Sequence, residues 1–285
     1  MRHLWWLSLL PIGACLEVIG GYLPEYRIDV DVAALLLTDL MLFSIDPLDA
    51  SNYCCLNEHH WTKIERDLDR GKTRLWLTLG GAGRSQGLVQ WYRNEKEPDW
   101  DHWITLAQNH SVYGIDWDCE SFGSMEDYYA WIGFLNRAVP RLQDAGLASS
   151  ITLHPRQFLP SYDLFDRIHL MAYEQGNAVQ AVELLMQSGC PADKIVLGIA
   201  AYGSHEGAIQ PLYEIADAGW PADARYEDPK KVHRLVEWAH NKGLKGVFVW
   251  EVGQDYRSEE YPGGVLLEAI ADAVRGLQQT KSDEL

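Results

Sequence analysis

The sequence predicts an α/β protein, a single (β/α)8 TIM barrel. Short β-branched segments alternate with longer helical patterns, and this alternation is typical of parallel strands joined by crossover helices. Eight such units within 285 residues match the count and size of one barrel. A doubly wound open sheet is the alternative, but it usually needs fewer strands. No Gly-x-Gly-x-x-Gly motif or phosphate loop opens a helix after a strand, which argues against nucleotide-binding folds.

The eight predicted strands are short runs rich in β-branched and aromatic residues. In chain order they cover residues 18–23, 39–45, 74–79, 112–118, 150–154, 167–172, 194–200 and 246–250. The clearest helical patterns cover residues 59–70, 125–143, 178–188, 229–241 and 264–278. Chemistry in such barrels lies at the carboxyl ends of the strands, so the polar residues there are the candidates.

Residues 1–15 resemble a secretory signal peptide. Arg2 precedes an apolar run from Leu4 to Ile12, and the small residues Gly13 and Ala14 follow. The run is too short to span a bilayer. Two alternatives stay open: the segment is a buried first element of the fold, or residues 12–15 form a bacterial lipoprotein cleavage box with Cys15 as the lipidated residue.

The barrel domain is predicted to occupy residues 16–280, followed by a short tail at residues 281–285. The tail ends Ser-Asp-Glu-Leu, which resembles the retrieval signal of endoplasmic-reticulum residents. Together with a signal peptide, it predicts a protein of the secretory pathway that is retained in the reticulum lumen; a secreted protein is the alternative. Asn109 begins a glycosylation sequon that fits the same route.

Composition limits the partners. Acidic residues outnumber basic ones 41 to 24, giving a net charge of -17, so a nucleic-acid or anionic-membrane partner is not expected. The five cysteines are too few for a disulfide scaffold, although a bridge from Cys54 or Cys55 stays open. No spacing resembles a zinc site. We expect a monomer without cofactor or metal, and the 12 Trp and 14 Tyr fit either a bulky core or a sugar groove.

The most informative segment ends the fourth predicted strand. Because side chains alternate along a strand, Asp116, Asp118 and Glu120 share one face while the interleaved residues are apolar. Three carboxylates inside a barrel cannot all ionise, so we expect a shared proton and one raised pKa. A raised carboxyl pKa suits a general acid. A calcium loop or a solvated turn fits less well, because a calcium loop needs a glycine and a flanking helix pair that are missing here.

At this segment the sequence resembles glycoside hydrolase family 18, the chitinase-type family. That family carries Asp-Gly-x-Asp-x-Asp-x-Glu at the end of its fourth strand, and here only the first Asp is replaced, by Tyr113. Other strand ends match in order: Thr-Leu-Gly-Gly at residues 78–81, Met-Ala-Tyr-Glu at 171–174, Leu-Gly-x-x-x-Tyr-Gly at 197–203, and Trp250. The match runs from about Val18 to Ala273.

The resemblance implies a substrate-assisted, retaining hydrolase of N-acetylglucosamine linkages. Glu120 would be the general acid, and Asp118 would bind the acetamido group of the sugar. Asp116 would share a proton with Asp118, and Tyr173 would hold the acetamido carbonyl for attack. The remaining implied substrate-binding residues are Trp250 (the floor under the reacting sugar), Glu174, Tyr22, Gly80, Gly81 and Tyr202.

Two departures from the family affect the expected substrate. Glu174 is one methylene longer than the usual Asp. This would shift its hydrogen bond to the acetamido group of the sugar or to the central Asp of the acidic segment. About forty residues separate Tyr202 from the last strand, so there is no room for the small α+β domain that many members insert there. We therefore expect a shallow groove that accepts short chitin chains or the chitobiose core of N-glycans.

Three functions are compared. A chitinase-type hydrolase is favoured because the acid is retained. A chitooligosaccharide-binding, lectin-like protein with weak or no hydrolase activity is the alternative. A barrel enzyme of another chemistry with a convergent acidic strand fits less well, because His154 and Glu251 are too few for a metal site. The aromatic residues Trp91, Tyr92, Trp100 and Trp103 line outer sugar subsites or pack between helices, and His154 touches the groove or lies in the barrel.

Overall fold

The computed structural model describes residues 16–47, 56–175 and 177–283. The side chains of residues 174, 175 and 280–283 also lie outside the description. The signal-peptide segment with Cys15, the pair Cys54 and Cys55, and the last two residues of the tail fall outside the described residues. The predictions made for them, including the retrieval signal, therefore stay predictions.

Eight parallel strands close into a barrel, which confirms the predicted fold class. The strands are β1 Val18–Pro24, β2 Asp39–Ile45, β3 Arg74–Gly80, β4 Gly114–Asp118, β5 Ala148–Leu153, β6 Arg167–Leu170, β7 Ile195–Ala200 and β10 Gly246–Trp250. Their order around the barrel is β1-β10-β7-β6-β5-β4-β3-β2. A separate antiparallel hairpin of β8 Tyr202–His205 and β9 Ala208–Pro211 follows β7.

The described helices pack around the barrel. They are α1 Glu58–Asp67, α2 Gln86–Tyr92, α3 Trp100–Asn109, α4 Met125–Asp144, α5 Ala178–Gln187, α6 Leu212–Asp217, α7 Pro229–Asn241 and α8 Val265–Asp283. The backbone of α8 continues into the predicted tail as far as Asp283. No described helix is long and apolar enough to cross a membrane.

The strands present two different faces, as alternation requires. Their outward side chains, among them Ile115 and Trp117, join the helices in one large apolar cluster. Their inward side chains form a second, smaller apolar cluster that fills the barrel, consisting of Val18, Tyr22, Met41, Phe43, Trp76, Val196 and Phe248.

An ionic cluster lies at the amino-terminal end of the strands. The buried Asp39 accepts hydrogen bonds from Arg167 and Arg74 at 2.8 Å and from the Trp76 indole at 2.8 Å. Burial alone would raise the pKa of Asp39, but the two guanidinium groups outweigh burial and hold that pKa below its usual value. Arg167 also lies over the Trp76 ring at 4.5 Å. This end of the barrel is therefore filled by paired charges and an aromatic ring.

The tryptophans that follow β3 pack between helices. Trp91 and Trp103 are buried, and Trp91 contacts Trp100 and Phe134 with ring centroids 6.2 Å and 5.9 Å apart. Tyr92 is also buried. Of the two functions considered for these aromatic residues, packing is the one that the structure supports.

Other sequence features have the following places. Cys119 and Cys190 are buried free thiols, and burial raises the pKa of each to about 12. Asn109 of the sequon is the last residue of α3 and is exposed. No α+β domain stands between β7 and β10 in the described chain; the short β8–β9 hairpin follows β7 instead.

Candidate active site

The acidic segment lies at the carboxyl end of β4, where its alternation points the first two acids into the barrel. Asp116 is fully buried and Asp118 is 3% exposed. In the register of the sheet, Asp116 is level with Thr78 of β3 and with Ser150 of β5. Asp116 is therefore flanked by hydroxyl-bearing residues from both neighbouring strands.

Asp116 accepts hydrogen bonds from four hydroxyl groups. The Ser150 hydroxyl lies 2.6 Å from Oδ1, the Tyr22 hydroxyl 2.8 Å from Oδ2, and the Thr152 and Thr78 hydroxyls 3.2 Å from Oδ2. A carboxylate can accept this many bonds because its two oxygens offer about four lone-pair sites. The arrangement fixes Asp116 rigidly beneath Asp118.

The Tyr22 hydroxyl also lies 2.7 Å from Nδ1 of His169. Because the single hydroxyl proton of Tyr22 is donated to Asp116, we assign the ring proton of His169 to Nδ1, which then donates to the Tyr22 oxygen. Burial, with the neighbouring charges of Asp116 and Asp118, raises the pKa of Tyr22 well above its usual value. Tyr22 therefore stays protonated and serves as a donor.

His169 is neutral in the folded protein. Burial lowers its pKa to about 4, although the charge of Asp116 opposes this shift. Its Nε2 atom is buried without a hydrogen-bond partner in the described part of the chain. A second proton, on Nε2, would therefore be buried without an acceptor, and the charge of Asp116 offsets only part of this cost.

The acid sensitivity of the fold tests this interpretation. The folded pKa of His169 lies below the ordinary value of about 6.5, so between pH 4 and 6.5 the unfolded chain binds more protons than the folded one. We expect the free energy of unfolding to fall as the pH is lowered through this window, by at most about 1.4 kcal/mol per pH unit. Urea unfolding at several pH values should show a shallower fall in His169→Asn. His233→Asn, at a half-exposed position of α7, is the control, and equal slopes in all three proteins would contradict the interpretation.

Glu120 lies at the mouth of the barrel, just beyond the end of β4. Its backbone N–H donates to the Ser85 hydroxyl at 3.3 Å, and its side chain is 18% exposed. Oε2 of Glu120 lies 3.3 Å from Nε2 of His154. His154 therefore contacts a cleft-lining acid without lining the cleft itself.

Gly80 and Gly81 hold the end of β4 in place. Both have positive φ angles, of 102° and 101°, which favour glycine. A Cβ atom on Gly80 would lie 2.1 Å from the carbonyl oxygen of Asp118, and one on Gly81 would lie 2.2 Å from the Phe43 ring. The N–H of Gly81 donates to the same carbonyl oxygen of Asp118 at 2.6 Å. These glycines are needed for close approach of β3 to the acidic segment.

A cleft of about 570 Å³ opens above the acids. All three predicted substrate-binding aromatic residues, Tyr22, Tyr202 and Trp250, line it. Its walls are formed by Tyr22, Ala82, Asp118, Glu120, Thr152, Met171, Tyr173, Tyr202, Ile209, Phe248, Trp250 and Gln254. The structure therefore brings together two of the three acids with Tyr173, Tyr202 and Trp250, while Asp116 lies beneath them.

Aromatic contacts fix the walls of the cleft. The Trp250 ring packs edge-on against Phe43 with centroids 4.6 Å apart, and against Tyr22 at 5.5 Å. Tyr173 packs against Tyr202 at 6.1 Å. These rings give an apolar surface beside the carboxylates, a combination that suits the flat faces and polar edges of sugars.

Six cleft residues were not among the sequence candidates, namely Ala82, Thr152, Met171, Ile209, Phe248 and Gln254. Phe248 is an inward residue of β10 whose alternation with Trp250 gave a usable signal. Ile209 on β9 and Gln254 after β10 lie outside the barrel strands, so strand periodicity does not reach them. Glu174 lies in the single-turn helix Ala172–Gln175, with its side chain outside the described part of the chain. No cluster of three or more His, Cys, Asp or Glu that could hold a metal occurs among the described residues.

Comparison with protein-family models and with curated proteins finds no match. Among solved structures, the chain is similar to the GH18 chitinase ChiB from Flavobacterium johnsoniae, with a TM-score of 0.76, 19% identity, and coverage of 93% of this chain and 96% of that one. A class V chitinase mutant from Nicotiana tobaccum, in complex with NAG4, is similar with a TM-score of 0.70 and 17% identity, covering 89% and 99% of the two chains.

A chitinase-like agglutinin from Robinia pseudoacacia is also similar, with a TM-score of 0.69, 17% identity, and coverage of 89% of this chain and 99% of that one. The chain therefore has the barrel fold of the glycoside hydrolase family 18 chitinases, as the strand-end motifs indicated. The same fold carries a chitinase-like agglutinin, so the fold does not by itself distinguish catalysis from binding.

Proposed function

We propose that this protein is a glycoside hydrolase that cleaves β-1,4-linked N-acetylglucosamine by a substrate-assisted, retaining mechanism. The observation that carries the proposal is the cleft itself, in which Asp118 and Glu120 lie with Tyr173 and Trp250. Chitin oligomers and the chitobiose core of N-glycans are the proposed substrates. A fold match with chitinases supports the same class of linkage.

In the first step Glu120 donates its proton to the glycosidic oxygen, and the bond from that oxygen to the anomeric carbon breaks. The acetamido carbonyl oxygen of the same sugar forms a new bond to the anomeric carbon, giving a cyclic oxazolinium ion. In the second step the Glu120 carboxylate takes a proton from water, whose oxygen attacks the anomeric carbon and opens the ring. Two displacements at the same carbon leave the configuration retained.

The buried acids stabilise the cation that forms between these steps. Asp116 already accepts four hydroxyl donors, so we place the proton that the two acids share on Asp118 at rest. When the acetamido N–H develops positive charge, the shared proton passes from Asp118 to Asp116, and one of the hydroxyl groups around Asp116 turns to accept a hydrogen bond from it. The Asp118 carboxylate then accepts a hydrogen bond from the acetamido N–H. The site is largely shielded from water, and this strengthens the electrostatic stabilisation.

Tyr173 and Trp250 position the reacting sugar. The Tyr173 hydroxyl donates to the acetamido carbonyl and holds it in line with the anomeric carbon, which is a positioning effect. The partly buried Trp250 ring forms the apolar floor. The β8–β9 hairpin contributes Ile209, which is 71% exposed, to the rim. A low rim of this kind suits short chains and accessible glycans.

A carbohydrate-binding function without turnover is the second candidate. It is supported by the similarity in fold to a chitinase-like agglutinin. The retained Glu120 favours hydrolysis, because binding alone does not need a carboxylic acid at the scissile bond.

One experiment separates the two candidates. The protein is incubated with chitotetraose, chitopentaose and a chitobiose-core glycan, and the products are followed by proton NMR from the first minutes. We expect products whose new reducing end appears first as the β anomer, and inhibition by a cyclic thiazoline that mimics the oxazolinium ion. An initial α anomer would rule out retention. Calorimetric binding of the oligomers without any product would favour the lectin-like function.

A further inference from the structure

We propose that His154 is a positioning residue for Glu120, donating its Nε2–H to Oε2 so that the acid carries its proton on Oε1, toward the leaving oxygen. This inference rests on the proposed function, because it assigns a partner to the proposed general acid. It goes beyond that function, since neither the substrate nor the shared motif requires a histidine here.

The sheet register explains why the two side chains meet. Residues of β4 pair with residues of β5 that lie 34 positions later, as in Asp116 with Ser150. Continued beyond the strand ends, this register brings Glu120 level with His154. Ser150, Thr152 and His154 alternate along one face, and the first two already bond to Asp116. His154 therefore extends the row of polar side chains on β5 that serves the acids of β4.

The backbone holds the histidine in this place. The His154 N–H donates to the side-chain oxygen of Gln157 at 2.7 Å, which closes the turn after β5. Nε2 of His154 lies 3.3 Å from Oε2 of Glu120, and the two side chains are 31% and 18% exposed. The pair is partly shielded from water, which strengthens the contact between the two side chains. It is still open enough for the carboxyl group to reach a substrate in the cleft.

The surrounding charges favour this role. The other titratable groups lining the cleft are Asp118 on β4, Tyr22 on β1, Tyr173 after β6 and Tyr202 on β8. The described residues that line the cleft include no lysine or arginine. An imidazole N–H beside Glu120 therefore provides a hydrogen bond where the carboxylate appears after proton transfer, and this bond stabilises the carboxylate.

The contact predicts the direction in which kcat changes when His154 is replaced. A donor on Oε2 stabilises the carboxylate that Glu120 becomes when it gives up its proton, so removal of the donor slows proton transfer. His154→Ala is the variant that removes it. We expect kcat at the optimum to fall about tenfold, because the acid is less well oriented and its carboxylate is less stable. KM should change less than about twofold, since His154 is not among the cleft-lining residues.

Two further variants separate positioning from general damage. His154→Gln keeps an N–H donor at this position, so we expect it to recover most of kcat. His110→Ala is the matched control, because His110 also pairs with a glutamate, Glu65, at 2.6 Å and is similarly buried, but precedes β4 at the opposite end of the barrel. An unchanged kcat in His154→Ala would overturn the proposal.

A measurement independent of turnover distinguishes failure of this proposal from failure of the proposed function. The imidazole of His154 is titrated by NMR in the wild-type protein and in Glu120→Gln, with His154→Gln used to assign its resonance. We expect the pKa of His154 to fall by about one unit when the Glu120 charge is removed. An unchanged pKa would overturn the pairing even in an active enzyme. A falling pKa in a protein without turnover would keep the pairing and refute the hydrolase.

Discussion

Glu120→Gln is expected to lower kcat by about 10²–10⁴-fold on an aryl N-acetylchitobioside, because an amide cannot donate the proton that the leaving oxygen needs. The amide has nearly the same shape as the carboxyl group, and the backbone bond from Glu120 to Ser85 does not depend on the side chain. Folding should therefore be unchanged. Release of chromophore measures the rate, and circular dichroism with thermal unfolding verifies the fold.

The matched control is Glu237→Gln, the same change at a half-exposed position of α7, which should keep the wild-type rate. Oligosaccharide binding to Glu120→Gln should persist, because the walls of the cleft are intact. Full activity in Glu120→Gln would show that another group is the acid, and the mechanism proposed for this cleft would be wrong.

Asp118→Asn is expected to lower kcat by about 10²–10³-fold. The variant keeps the shape of the side chain but removes the negative charge that stabilises the oxazolinium ion. Because Asp118 is 3% exposed, water replaces little of the lost interaction. The loss should therefore appear mainly in the affinity for the cyclic thiazoline, with a smaller loss of affinity for the neutral substrate.

Calorimetry with both ligands measures this difference. Asp144→Asn, at the exposed end of α4, is the control for loss of a charge. Equal losses of affinity for the thiazoline and the substrate would contradict stabilisation of a cation by Asp118. Thermal unfolding of Asp118→Asn shows whether the buried network under it has been kept.

The local sequence pattern predicted the bounds of the barrel strands to within a few residues. The second and eighth predicted strands, 39–45 and 246–250, coincide with β2 and β10, and the others differ by a few residues at their ends. The period-two alternation of the acidic segment also gave the inward face of Asp116 and Asp118. These features depend on the side chains of one segment, so one segment is enough to predict them.

Features that depend on distant segments were not predicted. Tyr22 was expected to touch the sugar, and it does line the cleft, but its bond to Asp116 joins residues 94 positions apart. Strands β1 and β4 are not neighbours in the sheet, so even a known register does not bring these side chains together. Only the interior geometry of the closed barrel does so.

The contact between His154 and Glu120 was within reach of sequence reasoning. The alternation of Ser150, Thr152 and His154 places the histidine on the inward face, once β5 is paired with β4. The missing information was the register, that is, which residue of β5 pairs with which residue of β4. The short helices α2 and α6 were not among the clearest helical patterns for a different reason, since each has fewer than eight residues and carries little periodic signal.

The ionic cluster around Asp39 closes the amino-terminal end of the barrel, where Trp76 and Arg167 fill the space between the strands. A sugar released beside Trp250 would therefore leave through the same opening of the cleft by which the next substrate chain enters. Accumulated short products should then compete with fresh substrate for the same aromatic floor.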